Sequence, residues 1–490
     1  MRTLATYALA LLLATSALAG TFRAGSPSTT NNDDSCDIAV QPAATLLLPY
    51  FDVDFSSPQT KARTTLFTVQ NVSALPQIAE VTLWTDYGYP ALQFPIFLTG
   101  YDVQSINLYD VFARASIAPG PTPGGGTSVN TTVPVNPTPG TQPAPTNPNF
   151  LSDVGKVCTN LPGVFPTTLL RDLQQMFTVG VPADNQLGCP PPSSTIPPTS
   201  STPVGGTHAN AIGYITIDVV ATCFPVKPMS KDYFANNLLY DNVLTGDYQI
   251  VNTGDKKYAQ GGPMVHIRAV PEGGPAGAST LTNLPYTFYD RYTTAFFFNR
   301  AVDRRQPLPS TFAPRFIQGG PGGFNTSLRI WREGVLSGDA TCSDYPKNSN
   351  MPVTEIVRFD EHENATVSSG CPTATCAPPL GTQTTLTIDT SSFLFPPLAT
   401  SGDLAGWIFM NLSNGGSDAY SVGVVTGLAR DFRTNTSTRT GLRQSQNWVI
   451  TSMFADPTFA TEATALALGN GCSTSPVRGA QIAPAANPTP

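Results

Sequence analysis

The densest group of metal-ligating side chains in the sequence surrounds one histidine. Asp360, Glu361, His362 and Glu363 follow one another directly. Carboxylate oxygens and an imidazole nitrogen can together hold a divalent cation such as Ca2+. The same residues also fit the solvent-exposed end of a β-strand, because isolated motif matches are more often structural than functional. The segment is a candidate metal site, and the exposed strand end is the favoured interpretation.

A second pair of carboxylates, Asp52 and Asp54, alternates with the apolar residues Phe51, Val53 and Phe55. Alternate residues of a strand point to the same side, so the two carboxylates are predicted to share a face. Hard oxygen ligands of this kind suit Ca2+. The residues that follow have neither the glycine turn nor the distal glutamate of a calcium-binding loop. We therefore expect outward-facing strand residues rather than a metal site.

Triad-type catalysis needs a base, usually histidine, and the sequence contains only three histidines. His266 lies within a predicted strand, where a packed and hydrogen-bonded ring is expected. His208 lies in a predicted solvent-exposed loop, and His362 belongs to the carboxylate-rich segment. The sequence has neither a Gly-x-Ser-x-Gly elbow nor a His-Glu-x-x-His zinc helix. It therefore gives no indication of a serine or zinc hydrolase.

Acid and base catalysis by two carboxylates is the alternative, as in enzymes that hydrolyse an extracellular polymer. No pair of acidic residues stands at a recognisable motif spacing. We therefore expect a non-catalytic binding or structural protein, without a cofactor, whose partner is an extracellular glycan or protein. Two carboxylates about 5–10 Å apart in a deep cleft would instead favour a glycosidase-like enzyme.

The eight cysteines are an even number, which in an exported protein predicts disulfide bonds rather than a metal site. They are Cys36, Cys158, Cys189, Cys223, Cys342, Cys371, Cys376 and Cys472. Cys371 and Cys376 have the closest spacing, but four residues separate them and no second pair resembles them. Sequence alone leaves the connectivity open.

The first 19 residues have the pattern of a secretory signal peptide. Arg2 supplies a positive charge, residues 4–15 form an apolar run, and Ala17, Leu18 and Ala19 give a small-x-small cleavage site. The apolar run is shorter than the roughly 20 residues of a membrane-spanning helix, and no later segment reaches that length. We expect a secreted, periplasmic or cell-surface protein with no transmembrane segment in the mature chain.

The composition limits both the fold and the partners. Only 12% of the 490 residues are charged and 40% are hydrophobic, so the chain can bury a core. The 41 glycines and 47 prolines would interrupt a mostly helical protein. The net charge of -7 argues against nucleic-acid binding, because phosphates require a basic surface. Short β-branched and aromatic segments, such as those at 64–71, 80–84, 104–109, 213–220 and 264–270, predict an all-β fold.

An insertion rich in proline and threonine interrupts the strands between about residues 113 and 206. It contains one predicted helix at 166–177, where apolar residues recur with helical spacing. These residues are Leu169, Leu170, Leu173, Met176 and Phe177. Cys158 and Cys189 bracket the helix. We expect the apolar stripe to cap the protein's own core, with a partner as the alternative.

Five segments of the first half resemble five of the second half in the same order, which predicts an internal repeat. The pairs are 64–71 with 326–333, 80–84 with 355–359, 213–219 with 406–412, 243–246 with 424–427, and 264–269 with 448–453. The sequence therefore predicts two tandem duplicated β-sandwiches of immunoglobulin-like or jelly-roll-like type. The predicted bounds are a first module at 36–275, an aromatic connector at 276–319, a second module at 320–456 and a disordered tail at 473–490.

Several segments resemble a set of uncharacterised exported bacterial proteins that are rich in β-structure. They include LLLPYFDVDF, EVTLWTDYGYP, LTGYDVQSINLYDVF, DRRQPLPSTFAPRF, RFDEHEN and the ending Gly-Asn-Gly-Cys472. The resemblance covers most of both predicted modules but not the Pro/Thr-rich insertion. It implies export and a β-fold, and it brings no activity and no site residues.

Overall fold

A computed structural model of the protein describes most of its predicted strands. The described residues are 41–86, 90–117, 167–178, 208–221, 228, 233, 237–239, 241–254, 258–269, 308, 311–320, 323–332, 355–367, 383–388, 404–412, 447–455 and 459–467. The predicted signal peptide, the arms of the insertion, the C-terminal tail and all eight cysteines lie outside these ranges, so the corresponding predictions stay predictions.

Strands dominate the described residues, which confirms the all-β prediction. The first group is β1 (Thr45–Val53), β2 (Arg63–Asn71), β3 (Gln77–Thr85), β4 (Pro90–Leu98), β5 (Val103–Asn107), β6 (Ala211–Val220), β7 (Leu244–Asn252), β8 (Tyr258–Pro263) and β9 (Val265–Ile267). The second group is β10 (Thr311–Ala313), β11 (Arg315–Ile317), β12 (Phe324–Arg332), β13 (Glu355–Asp360), β14 (Ala365–Val367), β15 (Gln383–Ile388), β16 (Ala405–Asn411), β17 (Asn447–Ala455), β18 (Phe459–Thr464) and β19 (Leu466–Ala467). The helices are α1 (Leu108–Arg114) and α2 (Thr167–Thr178).

The first group forms two antiparallel sheets that share one core. One sheet has the order β4-β3-β6-β1-β9 and the other has the order β5-β2-β7-β8. The four-stranded sheet alternates buried and partly exposed residues, as in Phe67 and Val69 against Thr68 and Gln70. The central strands β1 and β3 of the five-stranded sheet are buried along their whole length. This sheet is therefore covered on both faces, whereas the four-stranded sheet has one face toward solvent.

The second group forms two further antiparallel sheets around a smaller core. The larger has the order β14-β13-β16-β10-β19, with β11 also paired with β16, and the other has the order β15-β12-β17-β18. Residues from both sheets, such as Leu328 and Met410, meet in the core. The group begins at Thr311 and ends at Ala467. Strands β10 and β11 lie within the predicted connector at 276–319, and β18 and β19 lie beyond the predicted end of the second module at 456, while the module bounds themselves stay predictions.

The two groups of strands have the same spatial order in their sheets. In this correspondence β10 and β11 together take the place of β1, and β12 to β19 take the places of β2 to β9 in turn. Three of the five predicted sequence pairs fall on strands that match in this way: β2 with β12, β3 with β13, and β6 with β16. The pair 264–269 with 448–453 falls on strands that do not correspond. Residues 264–269 include β9, whereas 448–453 belong to β17, and β17 corresponds to β7. Residues 424–427 lie outside the described ranges.

The sequence alignment of 64–71 with 326–333 is also one residue out of step with the burial of the two strands, β2 and β12. It aligns Leu66 with Leu328, yet Leu66 is partly exposed on the outer face and Leu328 is buried in the second core. A shift of one residue in a strand moves every side chain to the other face. The similarity of short β-branched segments therefore located the strand correctly but not its register.

Helix α1 replaces the end of a predicted strand at 104–109. The Asn107 side chain accepts a hydrogen bond from the backbone N–H of Tyr109, which is an N-cap, and Ala115 ends the helix with φ of 55°. The β-propensity of Leu108 and Tyr109 was misleading because the cap at Asn107 redirects the chain.

Helix α2 confirms the helix predicted in the insertion, shifted by one residue. Its residues Leu173, Met176 and Phe177 are buried in the first core, with Leu169 and Leu170 packed at the margin. The Phe177 ring lies 5.0 Å from the Phe112 ring of α1 in an edge-to-face arrangement. The apolar stripe of the helix therefore caps the first core, as expected.

The two groups of strands pack against each other through the outer side of the second four-stranded sheet. We call this the covered face, and its residues are Arg329, Trp331, Ile450, Ser452 and Glu462. Trp331 and Ile450 belong to the first core rather than the second. The Trp331 ring meets Tyr214 of β6 edge to face at 5.6 Å. Strand β18 also lies beside β8. The second group thus completes the core of the first.

Polar contacts fix this junction. Glu462 accepts hydrogen bonds from Arg329 Nη1 at 2.9 Å, from the Tyr248 hydroxyl at 2.6 Å and from Ser452 Oγ at 3.2 Å. The Arg329 guanidinium carbon lies 4.4 Å from the centre of the Tyr50 ring, a cation–π contact. Burial raises the pKa of Tyr248 well above its ordinary value, and the carboxylate of Glu462 adds to the effect. The buried charges are paired, as burial requires.

Candidate functional site

The outer side of the first four-stranded sheet faces solvent. We call it the open face, and it carries Leu66, Thr68, Gln70, Val103, Ser105, Thr245, Asp247 and Gln249. These residues alternate along β2, β5 and β7 with buried ones, so the pleat directs them together toward solvent. The strand register places Ser105, Thr68 and Asp247 in one row across the sheet. The face is therefore a continuous polar surface.

Two clefts lie on the open face. One has a volume of ≈ 410 Å³ and extends from Thr68 and Ser105 to Asn107 and Asp110 at the start of α1. The other has a volume of ≈ 560 Å³ and reaches the β8 residues 261–263 and His266. Both volumes fall in the range of about 300–1,000 Å³ that is typical of ligand sites.

Few of the polar groups on the open face are held in strong internal hydrogen bonds. The hydroxyl oxygens of Thr68 and Ser105 lie 3.3 Å apart, and Thr245 Oγ1 lies 3.5 Å from Gln70 Oε1. These distances exceed the usual 2.7–2.8 Å for a hydroxyl donor. The hydroxyl and amide groups therefore keep donor and acceptor capacity for a ligand.

The open face is flat at β8 because two glycines stand there. A side chain at Gly262 would meet no atom within 4 Å, so the space above it is open. At Gly261 a Cβ atom would collide with the carbonyl oxygen of Tyr248. Only glycine allows β8 to approach β7 this closely, and the result is an edge without side chains beside the larger cleft.

An exposed tyrosine lies two residues before β5, an edge strand of the sheet that carries the open face. Tyr101 is 69% exposed, and its backbone is left-handed, with φ of 57°. This conformation is uncommon for an aromatic residue and costs of the order of 1–3 kcal/mol. The next exposed apolar residue is Val103 on β5, which is 51% exposed. The two residues give the polar face an apolar end.

The turn that carries Tyr101 is held by an internal network. Asp102 accepts hydrogen bonds from the backbone N–H and the hydroxyl of Thr99, both at 3.0 Å, and from the Val103 N–H at 2.8 Å. Asn71 donates to the Thr99 carbonyl oxygen at 2.8 Å. The Tyr101 N–H donates to the Ser73 carbonyl oxygen at 2.9 Å. The surrounding contacts therefore keep the strained residue in place.

Two carboxylates line the smaller cleft. Asp247 is exposed on β7, whereas Asp110 is buried at the start of α1. Burial raises the pKa of Asp110, and the partly exposed Arg114, whose Nη1 lies 2.7 Å from the carboxylate, only partly offsets this effect. The cleft therefore combines one exposed carboxylate with one whose ionisation is disfavoured.

The carboxylate-rich segment 360–363 forms a turn at the end of β13, in agreement with the favoured interpretation. Asp360 accepts hydrogen bonds from Asn364 Nδ2 at 2.9 Å and from the backbone N–H of His362 at 2.9 Å. The side-chain bond from Asn364 is the main cause of the lowered pKa of Asp360. Glu361 accepts from the backbone of residues 404 and 405, and Glu363 has a left-handed φ of 63°. These contacts make the segment a capped turn.

Asp52 and Asp54 do not share an outward face. Asp52 is buried and accepts hydrogen bonds from Arg63 Nη1 and Asn210 Nδ2, each at 2.7 Å. A shift in register between Leu48 and Phe51 turns β1 at this point, which a simple alternation could not anticipate. Asp54 lies past the strand end and caps a turn at residues 56–57, whose hydrogen bonds outweigh burial and lower its pKa.

The histidines outside that segment have structural contacts. His266 is buried, as predicted, and its Nε2 lies 3.1 Å from both the N–H and the carbonyl oxygen of Gly246. His208 differs from the predicted solvent-exposed loop residue, because its Nε2 lies 3.0 Å from Asp86 Oδ2. The backbone N–H of His208 also donates to the Thr178 carbonyl oxygen at the end of α2. His208 therefore connects the insertion helix to the sheet.

A buried carboxyl pair lies on the five-stranded sheet. Glu80 of β3 and Asp218 of β6 are register neighbours, and their residues are 2% and 0% exposed. Asp218 accepts hydrogen bonds from Thr45 Oγ1 at 2.7 Å and from the Tyr233 hydroxyl at 2.6 Å. Glu80 Oε2 has no partner. Burial, together with the charge of Asp218, raises the pKa of Glu80 well above its ordinary value.

In the part of the chain that the structure describes, no group of three or more His, Cys, Asp or Glu side chains could hold a metal ion. No described helix is long and apolar enough to cross a membrane. Comparison with known families finds no family model that matches the chain, and no curated protein matches it.

The open face could not be predicted from the sequence, because its only signal is an alternation of polar residues that any exposed strand shows.

Proposed function

We propose that this protein is an exported, non-catalytic binding protein, and that the open face is its binding surface. The observation that carries the proposal is a solvent-facing sheet with two clefts and weakly bonded polar groups. Pockets of this size with a few convergent polar groups are the usual form of ligand sites. The partner is an extracellular glycan or protein.

Export is part of the proposal and rests on the signal-like residues 1–19 and on the even number of cysteines. In an oxidising compartment the eight cysteines would form disulfides. The protein would then act in the periplasm, at the cell surface or after release.

We further propose that the two groups of strands, which form the two halves of the protein, are duplicated β-sandwiches. Beyond the shared strand order, each half has a glycine at the same point of matching strands. Gly213 pairs with Phe51 and lies against the carbonyl oxygen of Trp84, and Gly406 pairs with Phe316 and lies against that of Phe359.

The residue after each glycine supports the same proposal. Tyr214 stacks on Trp84 with 5.5 Å between ring centres and 6° between planes, and Trp407 stacks on Phe359 at 4.2 Å and 10°. A Cβ atom at either glycine would collide with backbone, so the stack requires glycine in both halves. A shared packing detail of this kind favours duplication over convergence.

A hydrolase is the second candidate, because Asp110 and Asp247 line one cleft and the pKa of Asp110 is raised. A glycosidase needs a protonated acid beside an ionised carboxylate. The contact of Asp110 with Arg114 opposes that role, since an adjacent guanidinium favours the ionised form. We therefore prefer binding.

The test uses the full exported chain, immobilised and incubated with separate extracellular glycan and protein fractions. Thr68→Arg places a bulky charge in both clefts and is expected to reduce capture at least tenfold. Glu363→Arg, on an exposed turn of the second half, is the matched control and should capture as the wild type does. Capture that survives Thr68→Arg refutes the open face as the binding surface. Polymer cleavage that Asp247→Asn abolishes would establish the hydrolase instead.

A further inference from the structure

We propose that the ligand of the open face is a neutral, hydroxyl-rich glycan that stacks on Tyr101 and bonds to the polar rows of the sheet. The inference rests on the proposed function and names the ligand class of the same surface. Four observations carry it: the charge of the face, its donor and acceptor groups, its few apolar side chains and the way Tyr101 is held.

The charge of the open face excludes anionic ligands. Among its eight residues only Asp247 carries a formal charge, which is negative, and the other carboxylate that lines its clefts, Asp110, is buried. Recognition of phosphate, sulfate or carboxylate groups needs arginine or lysine side chains, and the face as described offers neither. The whole chain has a net charge of -7, which also repels anions at longer range. A neutral ligand meets no such penalty.

The polar groups of the face suit hydroxyls. Thr68 and Ser105 contribute hydroxyls, Gln70 and Gln249 contribute amides, and Asp247 contributes a carboxylate. A hydroxyl and an amide both donate and accept hydrogen bonds, as the hydroxyls of a sugar do. A carboxylate can accept bonds from two adjacent hydroxyls. Neighbouring groups within a row lie about 4.8 Å apart across the strands, so the groups suit an extended ligand rather than a single point of contact.

The apolar content of the face is too small for a typical protein partner. Its only large exposed apolar side chains in the described residues are those of Tyr101 and Val103. Stable protein interfaces have a fully buried core rich in aromatic and apolar residues. One aromatic ring beside a polar surface instead matches the two sides of a sugar, which has apolar C–H faces and polar edges.

The backbone of Tyr101 supports a ligand role. A left-handed aromatic residue is retained only when surrounding contacts enforce it, and such residues concentrate at binding sites. Here Asp102, Asn71 and Ser73 hold the turn, while the ring itself is mostly exposed. The turn therefore fixes the backbone of Tyr101 two residues before Val103, which belongs to the row formed with Gln70 and Thr245.

The experiment is affinity electrophoresis of the full exported chain in gels that contain one soluble polysaccharide each. The neutral probes are mixed-linkage β-glucan, xylan and galactomannan, and the acidic probe is alginate. We expect retardation by at least one neutral polysaccharide and none by alginate. The retardation should persist at high salt, because salt screens charge attraction and leaves hydrogen bonds and stacking in place.

Three variants locate the site. Tyr101→Asn removes the ring but suits the left-handed backbone, so affinity should fall at least tenfold while the melting temperature stays equal or rises. Tyr101→Trp should retain binding within about threefold, since stacking needs only an aromatic face. Leu404→Ala is the matched control, because Leu404 is the exposed large apolar residue described in the second half, and it should bind as the wild type does.

Each contrary result has a distinct meaning. No retardation by any of the three neutral polysaccharides, or retardation by alginate alone, overturns the glycan inference. If a protein is then captured and Thr68→Arg abolishes the capture, the proposed function stands with another ligand class. Glycan retardation that survives both Tyr101→Asn and Thr68→Arg overturns the open face as the site, and with it both proposals.

Discussion

The two four-stranded sheets occupy matching positions in the two halves, yet their outer sides differ in chemistry. The covered face of β12, β17 and β18 carries buried charges and aromatic rings, represented by Arg329, Trp331 and Glu462. The open face carries short neutral polar side chains and one carboxylate, represented by Thr68, Gln249 and Asp247. One outer side is filled from within the chain, and the other is left to solvent.

The difference teaches what each side is suited to bind. A permanent contact tolerates charges only when they are paired and desolvated together, as Glu462 is with Arg329 and Tyr248. A face that stays in contact with water keeps uncharged donor and acceptor groups, which water satisfies as they stand. The covered face thus acts as an internal interface, and the open face retains the features of an external one.

The largest effect is expected at the junction of the two halves. Trp331→Ala should destabilise the chain by about 3–5 kcal/mol, because it removes a buried aromatic side chain from the first core. Trp407→Ala is the control, since Trp407 is only partly buried on the outer side of β16, and it should cost clearly less. Chemical denaturation measures both. Equal losses would show that Trp331 does not link the halves.

A slightly smaller loss is expected when the buried ion pair is broken. Arg329→Met should cost about 3 kcal/mol, because it leaves Glu462 as a buried charge that has lost its cation. The double variant Arg329→Met with Glu462→Leu should recover most of that loss, since both charges are then replaced by apolar groups. Denaturation of the single and double variants forms the mutant cycle. A double variant that is no more stable than Arg329→Met contradicts this account.

A pH-dependent effect of about 1–3 kcal/mol is expected from the carboxyl pair of the first half. Because the pKa of Glu80 is raised in the folded state, the folded chain binds more protons than the unfolded chain above the ordinary value of 4.5. Stability is therefore full below that value and falls as the pH rises through the raised pKa. Glu80→Gln removes this dependence, so its stability relative to the wild type should increase between pH 4 and pH 8.

Melting curves over that range test the carboxyl pair. Glu363→Gln, on an exposed turn of the second half, is measured in parallel as the control for the substitution itself. A constant difference between Glu80→Gln and the wild type at all pH values would mean that the pKa of Glu80 is the same in the folded and unfolded states.

The smallest effects on stability are expected on the open face. Asp247→Ala and Gln249→Ala should each change the free energy of unfolding by less than about 0.5 kcal/mol, because both side chains are exposed and outside the core. A loss above about 2 kcal/mol for either variant in denaturant titrations would show that the face is covered in solution. Together with Arg329→Met, these variants measure how much more the covered face contributes to the free energy of unfolding than the open face does.

Several elements could be predicted from sequence because their signals are local. Alternation and β-branched residues predicted β2, β3 and β6, and the helical spacing of Leu169, Leu173 and Met176 predicted α2. The segment at 360–363 was predicted as the exposed end of a strand, and the turn that caps it depends on hydrogen bonds to Asp360 that the prediction did not include. By contrast, the strand predicted at 104–109 ends in a helix, since the hydrogen bond of Asn107 to its own backbone competes with strand pairing.

The candidate site could not be predicted, because none of its residues forms a motif. Thr68 and Asp247 are almost 180 positions apart in the chain and meet only through the pairing of β2 with β7. The strain at Tyr101 is equally invisible in the sequence, since it depends on contacts from residues 71–75. Likewise, Asp52 is buried because the sheet that contains β1 is covered on both faces, and long-range contacts from Arg63 and Asn210 hold its carboxylate.

The sequence by itself determined the all-β class and the insertion helix, because these depend on short-range periodicity and on the conformational preferences of single residues. Only the tertiary structure decided which outer sheet face is covered and which is open. That choice depends on contacts such as those of Trp331 with Tyr214 and of Glu462 with Tyr248, which join residues more than 100 positions apart. Long-range packing of this kind leaves no periodic signal in either partner segment.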